Sequence, residues 1–259
     1  MVSRGWIKDS VSSIKEFFAQ LPDEARASIL CRKTESIRST RSMDRAALAA
    51  WMTRVIIKAG DPKALAPFRH EKINLDTMRA LAKTSLSENG PAEAQDFLYR
   101  LGIPLVIEPH LPKTYLDGAA ILLIAERPII ALSLRHDRLD NFWFTLMHEV
   151  AHVVLHSNIG CIDFIDDLDV ATSDDPRERE ADDLAREALI PSDAWEKSPA
   201  SNLRSPQAAQ HLARQLSIHP AIVAGRMRHH WKDFRLLKNY VGHRDVRRNF
   251  SYVDWADSK

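Results

Sequence analysis

His148, Glu149 and His152 stand in the order His-Glu-Val-Ala-His, inside the apolar run NFWFTLMHEVAHVVLH. Two histidines four residues apart on a helix lie one turn above each other, so both imidazoles can reach a single ion. A glutamate beside the first histidine falls where it can take a proton from a water held at that ion, which is the arrangement of zinc-assisted hydrolysis. Read without a metal, the two histidines would be core residues of an apolar helix. That reading leaves Glu149 as a buried charge with nothing to justify its cost. The metal reading accounts for all three residues at once.

A catalytic zinc takes a third protein ligand and keeps one position open. His156 follows His152 by another four residues, but it stands two turns, about 12 Å, from His148 along the axis, too far to share one ion. The segment Glu178-Arg179-Glu180-Ala181-Asp182 offers better candidates. Glu178 precedes Ala181 by three and shares the apolar side of a helix with Ala181, Leu184, Ala185 and Ala188. Glu180 precedes Leu184 by four and could also turn inward. Glu178 is the preferred third ligand and Glu180 the alternative. Glu149 is assigned as general base, with Zn2+ as the metal and Mn2+ as a second possibility for such a donor set. A developing oxyanion needs a further donor; His110, Tyr115, His136 and His156 are candidates that the sequence does not rank.

The elements that must position these residues follow from periodicity and turn residues. Val11–Leu21 carries Ile14, Phe17, Phe18 and Leu21 at helical spacing and stops at Pro22. Asp44 caps a second helix that ends at Gly60, before Asp61-Pro62. A third spans LDTMRALAKTSL, and AEAQDFLYRLG forms a short fourth with Gly102 as C-cap. The texture then changes to three short β-rich runs, IPLVIE, AAILLIA and PIIALSL, separated by turns. These lead directly into the metal helix, which Asp140-Asn141 would cap. PIIALSL is expected to border the cleft, where an extended substrate could add as a further strand. A helix from Arg177 to Ile190 ends at Pro191, and Ser205–Tyr240 reads as helical again. The expected organisation is a helical region at 1–90, a compact α+β catalytic unit at 91–192, and a basic helical tail at 193–259. Trp51 and Trp143 read as core.

At 259 residues, with 45% hydrophobic and 27% charged residues, the chain has the balance of a globular protein with an ample core. No apolar run approaches a membrane span, MVSRGWIKDS lacks the apolar centre of a secretory signal, and Cys31 and Cys161 form no disulfide framework. A cytoplasmic location is expected. The net charge of +1 conceals a basic stretch, with ten Lys/Arg against two Asp between Ser201 and Phe250, and an acidic loop from Asp163 to Asp175.

On HEVAHVVLH, on EREADDLAREALIP and on RPIIALSLRHDRLDNFWFTL, the chain resembles the ImmA/IrrE family of zinc metallo-endopeptidases over roughly Ala92–Pro191. The tail SPQAAQHLARQLSIHPAIVAGRMRHH is similar to the segment that often follows in that family. The resemblance implies a minimal zincin, gluzincin-like fold, to which the three β-rich runs would contribute a small three-stranded antiparallel sheet. It implies a protein substrate that is a helix-turn-helix transcriptional repressor, whose cleavage releases phage, mobile-element, toxin–antitoxin or stress-response genes. Longer relatives carry a DNA-binding domain ahead of residues similar to Arg4-Gly5-Trp6-Ile7, a domain expected to be absent here. Asp182 stands where many relatives have asparagine.

QHLARQLSIHPAIVAGRMR has helix-turn-helix texture, with Arg226, Arg228, Lys232, Arg235 and Lys238 in or after its second helix. DNA contact is the lesser reading, because AIVAGRMR offers few side chains suited to base edges. A docking module with a solvated basic face is preferred. Cys161 is read as an ordinary loop or core cysteine, with a thiolate that closes the open metal position as the alternative. The competing class for the whole chain is a non-catalytic regulator that keeps the fold as a scaffold.

Overall fold

The computed structural model describes residues 1–8, 10–21, 37–38, 44–60, 65–123, 127–157, 163–166 and 175–255. Pro22, Cys31, Asp61-Pro62, Cys161 and much of the acidic stretch named above lie outside them.

A mixed sheet divides the molecule into two apolar layers. Its strands are β1 (Ile37–Arg38), β2 (Leu105–Ile107), β3 (Gly118–Leu123), β4 (Arg127–Leu132) and β5 (Asp163–Asp166), in the order β1-β5-β3-β4-β2. The expected three-stranded antiparallel sheet is therefore corrected: it is five-stranded among the described residues, with β2 parallel to β4 and β1 parallel to β5. The reason lies in connection length. Only three residues separate Leu123 from Arg127, a length that suits the observed antiparallel pairing of β3 with β4, whereas the longer stretch 108–117 lets the chain step over the place β4 fills. Two further expectations change with it. Residues 163–166 pair with β3 instead of lying in a loop, and the 1–90 region contributes strand β1 as well as helices. β4 has both edges paired, by β3 and β2, so it cannot accept a substrate strand.

Side chains alternate across the sheet with period two. Ala119, Ile121, Ile129, Ala131 and Val106 face one cluster, with Phe17 and Leu21 from α1 (Val11–Ala19) and just beyond it, and Trp51 and Val55 from α2 (Arg45–Ala59). Ala120, Leu122, Ile130, Leu132 and Ile107 face the other, larger cluster. That cluster holds α3 (Leu75–Lys83), α4 (Gly90–Arg100), α5 (Leu139–His156) and α6 (Pro176–Leu189). Asp44 caps α2 through Ala46 N and Ala47 N, and Gly102 leaves α4 at φ 81°. Trp51 and Trp143 are fully buried.

The C-terminal segment shares the larger cluster. After α7 (Ser192–Lys197), α8 (Pro206–Leu216) and α9 (Pro220–His230) bury Leu212, Ile222, Val223 and Met227 there, and Val246, Phe250 and Val253 follow. Regular α-helix ends at His230, short of the expected Tyr240, and the chain continues through turns and two short 3-10 pieces. This segment holds the start of α5. Leu139 N and Asp140 N donate to Val241 O, and Val246 N and Arg247 N donate to Asp137 Oδ1. Asp140 is thus not the N-cap. It lies inside the first turn, buried, bonded to Arg138 Nε at 2.9 Å and Arg228 Nη1 at 3.1 Å.

Candidate metal centre

The helix α5 packs α6 across its His148–His152 face, because α6 is built to come close. Its buried side carries Glu178, Ala181, Ala185 and Ala188, and three alanines at helical spacing leave room for the imidazoles opposite. Glu180 lies on the exposed side of α6. His148, Glu149 and His152 have no exposed surface, and Glu178 has almost none.

His148 Nε2 and His152 Nε2 face each other at 2.9 Å. The Glu178 carboxylate lies 3.3 Å from the first and 3.6 Å from the second. The three residues each offer one donor atom within 4.8 Å of the others. Ligand atoms on a tetrahedral zinc with bonds of about 2.0–2.1 Å stand about 3.3 Å apart, so the spacing fits such an ion. The donor set, two imidazole nitrogens and one carboxylate oxygen, is also the right chemistry. Burial pushes the His152 imidazole down to about 4, against the pull of Glu178, so at neutral pH it keeps its lone pair.

A second layer orients the first. His148 Nδ1 donates to Asp182 Oδ1 at 2.9 Å, which turns Nε2 toward Glu178 and His152. Asp182 Oδ2 in turn accepts from Arg186 Nη2 at 2.8 Å. Asp182 and Arg186 went unrecognised as site residues in the sequence, although Asp182 follows the inward-facing Glu178 by one helical turn. The Glu149 carboxylate lies against the backbone of Gly118, where β3 opens. A side chain at Gly118 would collide with the Glu149 carboxylate. Gly118 was read only as the end of a turn, and nothing in its sequence neighbourhood marks this contact.

His156 is not part of the group. It is buried, its ring centroid stands 5.4 Å from that of His152, and its Nε2 faces the Arg177 carbonyl at 3.4 Å, linking the end of α5 to the start of α6. His110 lies elsewhere, beside Arg4, Arg135 and Arg247. Helix α9, the second of the helix-turn-helix-like pair, buries Ala221, Ile222, Val223, Ala224, Met227 and Arg228. Arg226 reaches the Ile190 carbonyl and covers the Trp195 ring at 4.6 Å. Two of the cations named for DNA contact are therefore engaged inside the fold.

The structure is thus an α+β protein in which a buried His-His-Glu group that could hold a metal ion lies between two helices, on one face of a small mixed sheet. Residues 100–227 match the family model of the IrrE N-terminal-like domain, Peptidase_M78. No curated protein and no solved structure gives a significant match. No helix among the described residues is long and apolar enough to cross a membrane.

Proposed function

We propose that the chain is a zinc-dependent endopeptidase with a zincin-type centre, in which His148, His152 and Glu178 hold the metal and Glu149 is the general base. The observation that carries this reading is the convergence of three buried donor atoms within 4.8 Å, one residue from a second buried carboxylate. When bound, zinc would polarise the scissile carbonyl and lower the pKa of the attacking water; manganese could substitute. Glu149 takes the proton of that water and returns it to the leaving amine. Asp182 holds the His148 ring in the orientation that presents Nε2. The C-terminal segment fixes the start of α5, and with it the position of all three motif residues.

The substrate we propose is a helix-turn-helix transcriptional repressor, cut to release the genes it controls, in the cytoplasm. The resemblance of HEVAHVVLH and EREADDLAREALIP to the ImmA/IrrE peptidases supports this. A non-catalytic, DNA-binding role is the weaker reading, since Arg226 and Arg228 are committed to internal contacts.

The test is metal content of purified wild type beside His148→Ala, followed by cleavage of repressors encoded nearby with Glu149→Gln as control. About one zinc per chain, lost in His148→Ala, with cleavage abolished in a zinc-loaded Glu149→Gln, is the expected result. No metal in wild type after zinc is supplied, or cleavage that survives Glu149→Gln, would overturn it.

A further inference from the structure

Beside the end of the edge strand β2, away from the metal group, four chain segments close around a polar cavity of about 180 Å³. Arg4 and Trp6 come from the N-terminal segment, Arg54 and Lys58 from α2, Glu108 from the residue after β2, and Tyr252 and Asp254 from the C-terminal segment. Of the sequence features singled out above, Arg4-Gly5-Trp6-Ile7 is the one the metal centre does not use, and two of its side chains line this cavity.

The charges do not balance. Glu108, 3% exposed, is approached by Lys58 Nζ at 2.6 Å, Arg4 Nη1 at 3.8 Å and Arg54 Nε at 3.9 Å. Arg54 and Lys58 share Glu108 as their one carboxylate partner among the described residues, which leaves a positive charge in excess between them. Arg54 Nε is buried and has no hydrogen-bond acceptor among the described residues, a state that costs free energy unless something else occupies the cavity. Burial, reinforced by the charges of Arg135, Arg4 and Arg247, pushes the neighbouring His110 down to about 4.

We propose that this cavity binds a small ligand through a phosphate group, with Arg54 and Lys58 as the principal donors. The Arg54 guanidinium fork and the Lys58 ammonium suit tetrahedral phosphate oxygens, while Arg4 donates to the Pro109 and His110 carbonyls and adds its charge. The volume is several times the share of one water, about 30 Å³, which leaves room for such a group. The exposed Tyr252 ring at the rim offers a face to whatever organic part the phosphate carries. The inference does not depend on the metal reading, since no residue is shared between the two sites.

The experiment is calorimetric titration of the full chain with inorganic phosphate, a nucleoside monophosphate and the matching nucleoside, with acetate at equal ionic strength as control. Saturable binding of phosphate or of the monophosphate is expected, with silence from nucleoside and acetate, and at least tenfold weakening in Arg54→Gln. Tighter binding of the monophosphate than of phosphate would place the organic part against Tyr252; equal binding would assign recognition to the phosphate alone. Arg54 is about one-third exposed, so the variant is expected to fold, and Arg54→Lys, which keeps the charge and loses the fork, should weaken binding by less. Absence of saturable binding by either phosphate compound, equal affinity in Arg54→Gln, or an equal response to acetate would overturn the proposal.

Discussion

The backbone of Gly118 lies against the carboxylate of Glu149: a Cβ at Gly118 would strike Oε1 and come within 2.8 Å of Thr145 Cγ2. The first residue of β3 thus sets how far the proposed general base can lean toward the sheet. Gly118→Ala should push Glu149 aside by a sizeable fraction of an ångström while His148, His152 and Glu178 stay in place. Turnover should fall on the order of 100-fold, as small misplacements of catalytic groups do, with zinc content unchanged. Overpacking would cost about 1–3 kcal/mol of stability. Full activity in a zinc-loaded Gly118→Ala would show that Glu149 is not positioned by this contact.

Asp182 joins His148 to Arg186, and its removal should be felt in metal affinity before it is felt in fold. Loss of the carboxylate that orients a ligating histidine weakens binding about 10- to 100-fold. Asp182→Ala should show that loss in competition with a chelator. Asp182→Asn can still accept from His148 Nδ1 and should lose less. Equal zinc affinity in wild type and Asp182→Ala would remove Asp182 from the site.

Much of this centre was legible because helix geometry is local. Four-residue spacing placed His148 and His152 together, and the three-residue step from Glu178 to Ala181 placed Glu178 on the buried side of α6, away from exposed Glu180. What escaped the sequence is what depends on other segments. That Gly118 faces Glu149 follows from β3 packing against α5, and periodicity within β3 is silent about it. Asp140 has the residue type of an N-cap, but Val241 O accepts from Leu139 N and Asp140 N, so the capping role was already filled. Asp140 turned instead to Arg228, 88 positions later. The parallel pairing of β2 with β4 was hidden for the same reason: short apolar runs carry no record of their neighbours' direction.

Acid should destabilise the metal-free protein early. His110 and His152 both have folded pKa values of about 4, against an ordinary 6.5, chiefly through burial, and burial also lowers His219 and His229. Between pH 6.5 and 4 the unfolded chain binds more protons than the folded one, so stability falls as pH falls through that window. Urea midpoints should therefore decline from pH 6.5 to 5, before most carboxylates titrate. His110→Gln should flatten part of the decline. A midpoint constant over this range would show that these imidazoles charge freely in the fold.

Arg228 offers the sharpest separation between a DNA-contacting tail and a structural one. The residue is 5% exposed, its guanidinium bonded to Asp140 at the start of α5 and to the Phe234 carbonyl, and burial lowers its pKa. Removing one partner of a buried pair leaves the other as an uncompensated charge, at a cost of about 3–5 kcal/mol. Arg138, which also reaches Asp140, should hold Arg228→Met to the lower end of that range. The doubly substituted Arg228→Met, Asp140→Leu protein should recover much of the loss, since neither charge is then left alone. Denaturant melts of the two single variants and the double variant read this coupling directly. If Arg228→Met melts like wild type and its measurable defect is weaker DNA binding, the basic segment is a nucleic-acid surface and not the support of α5.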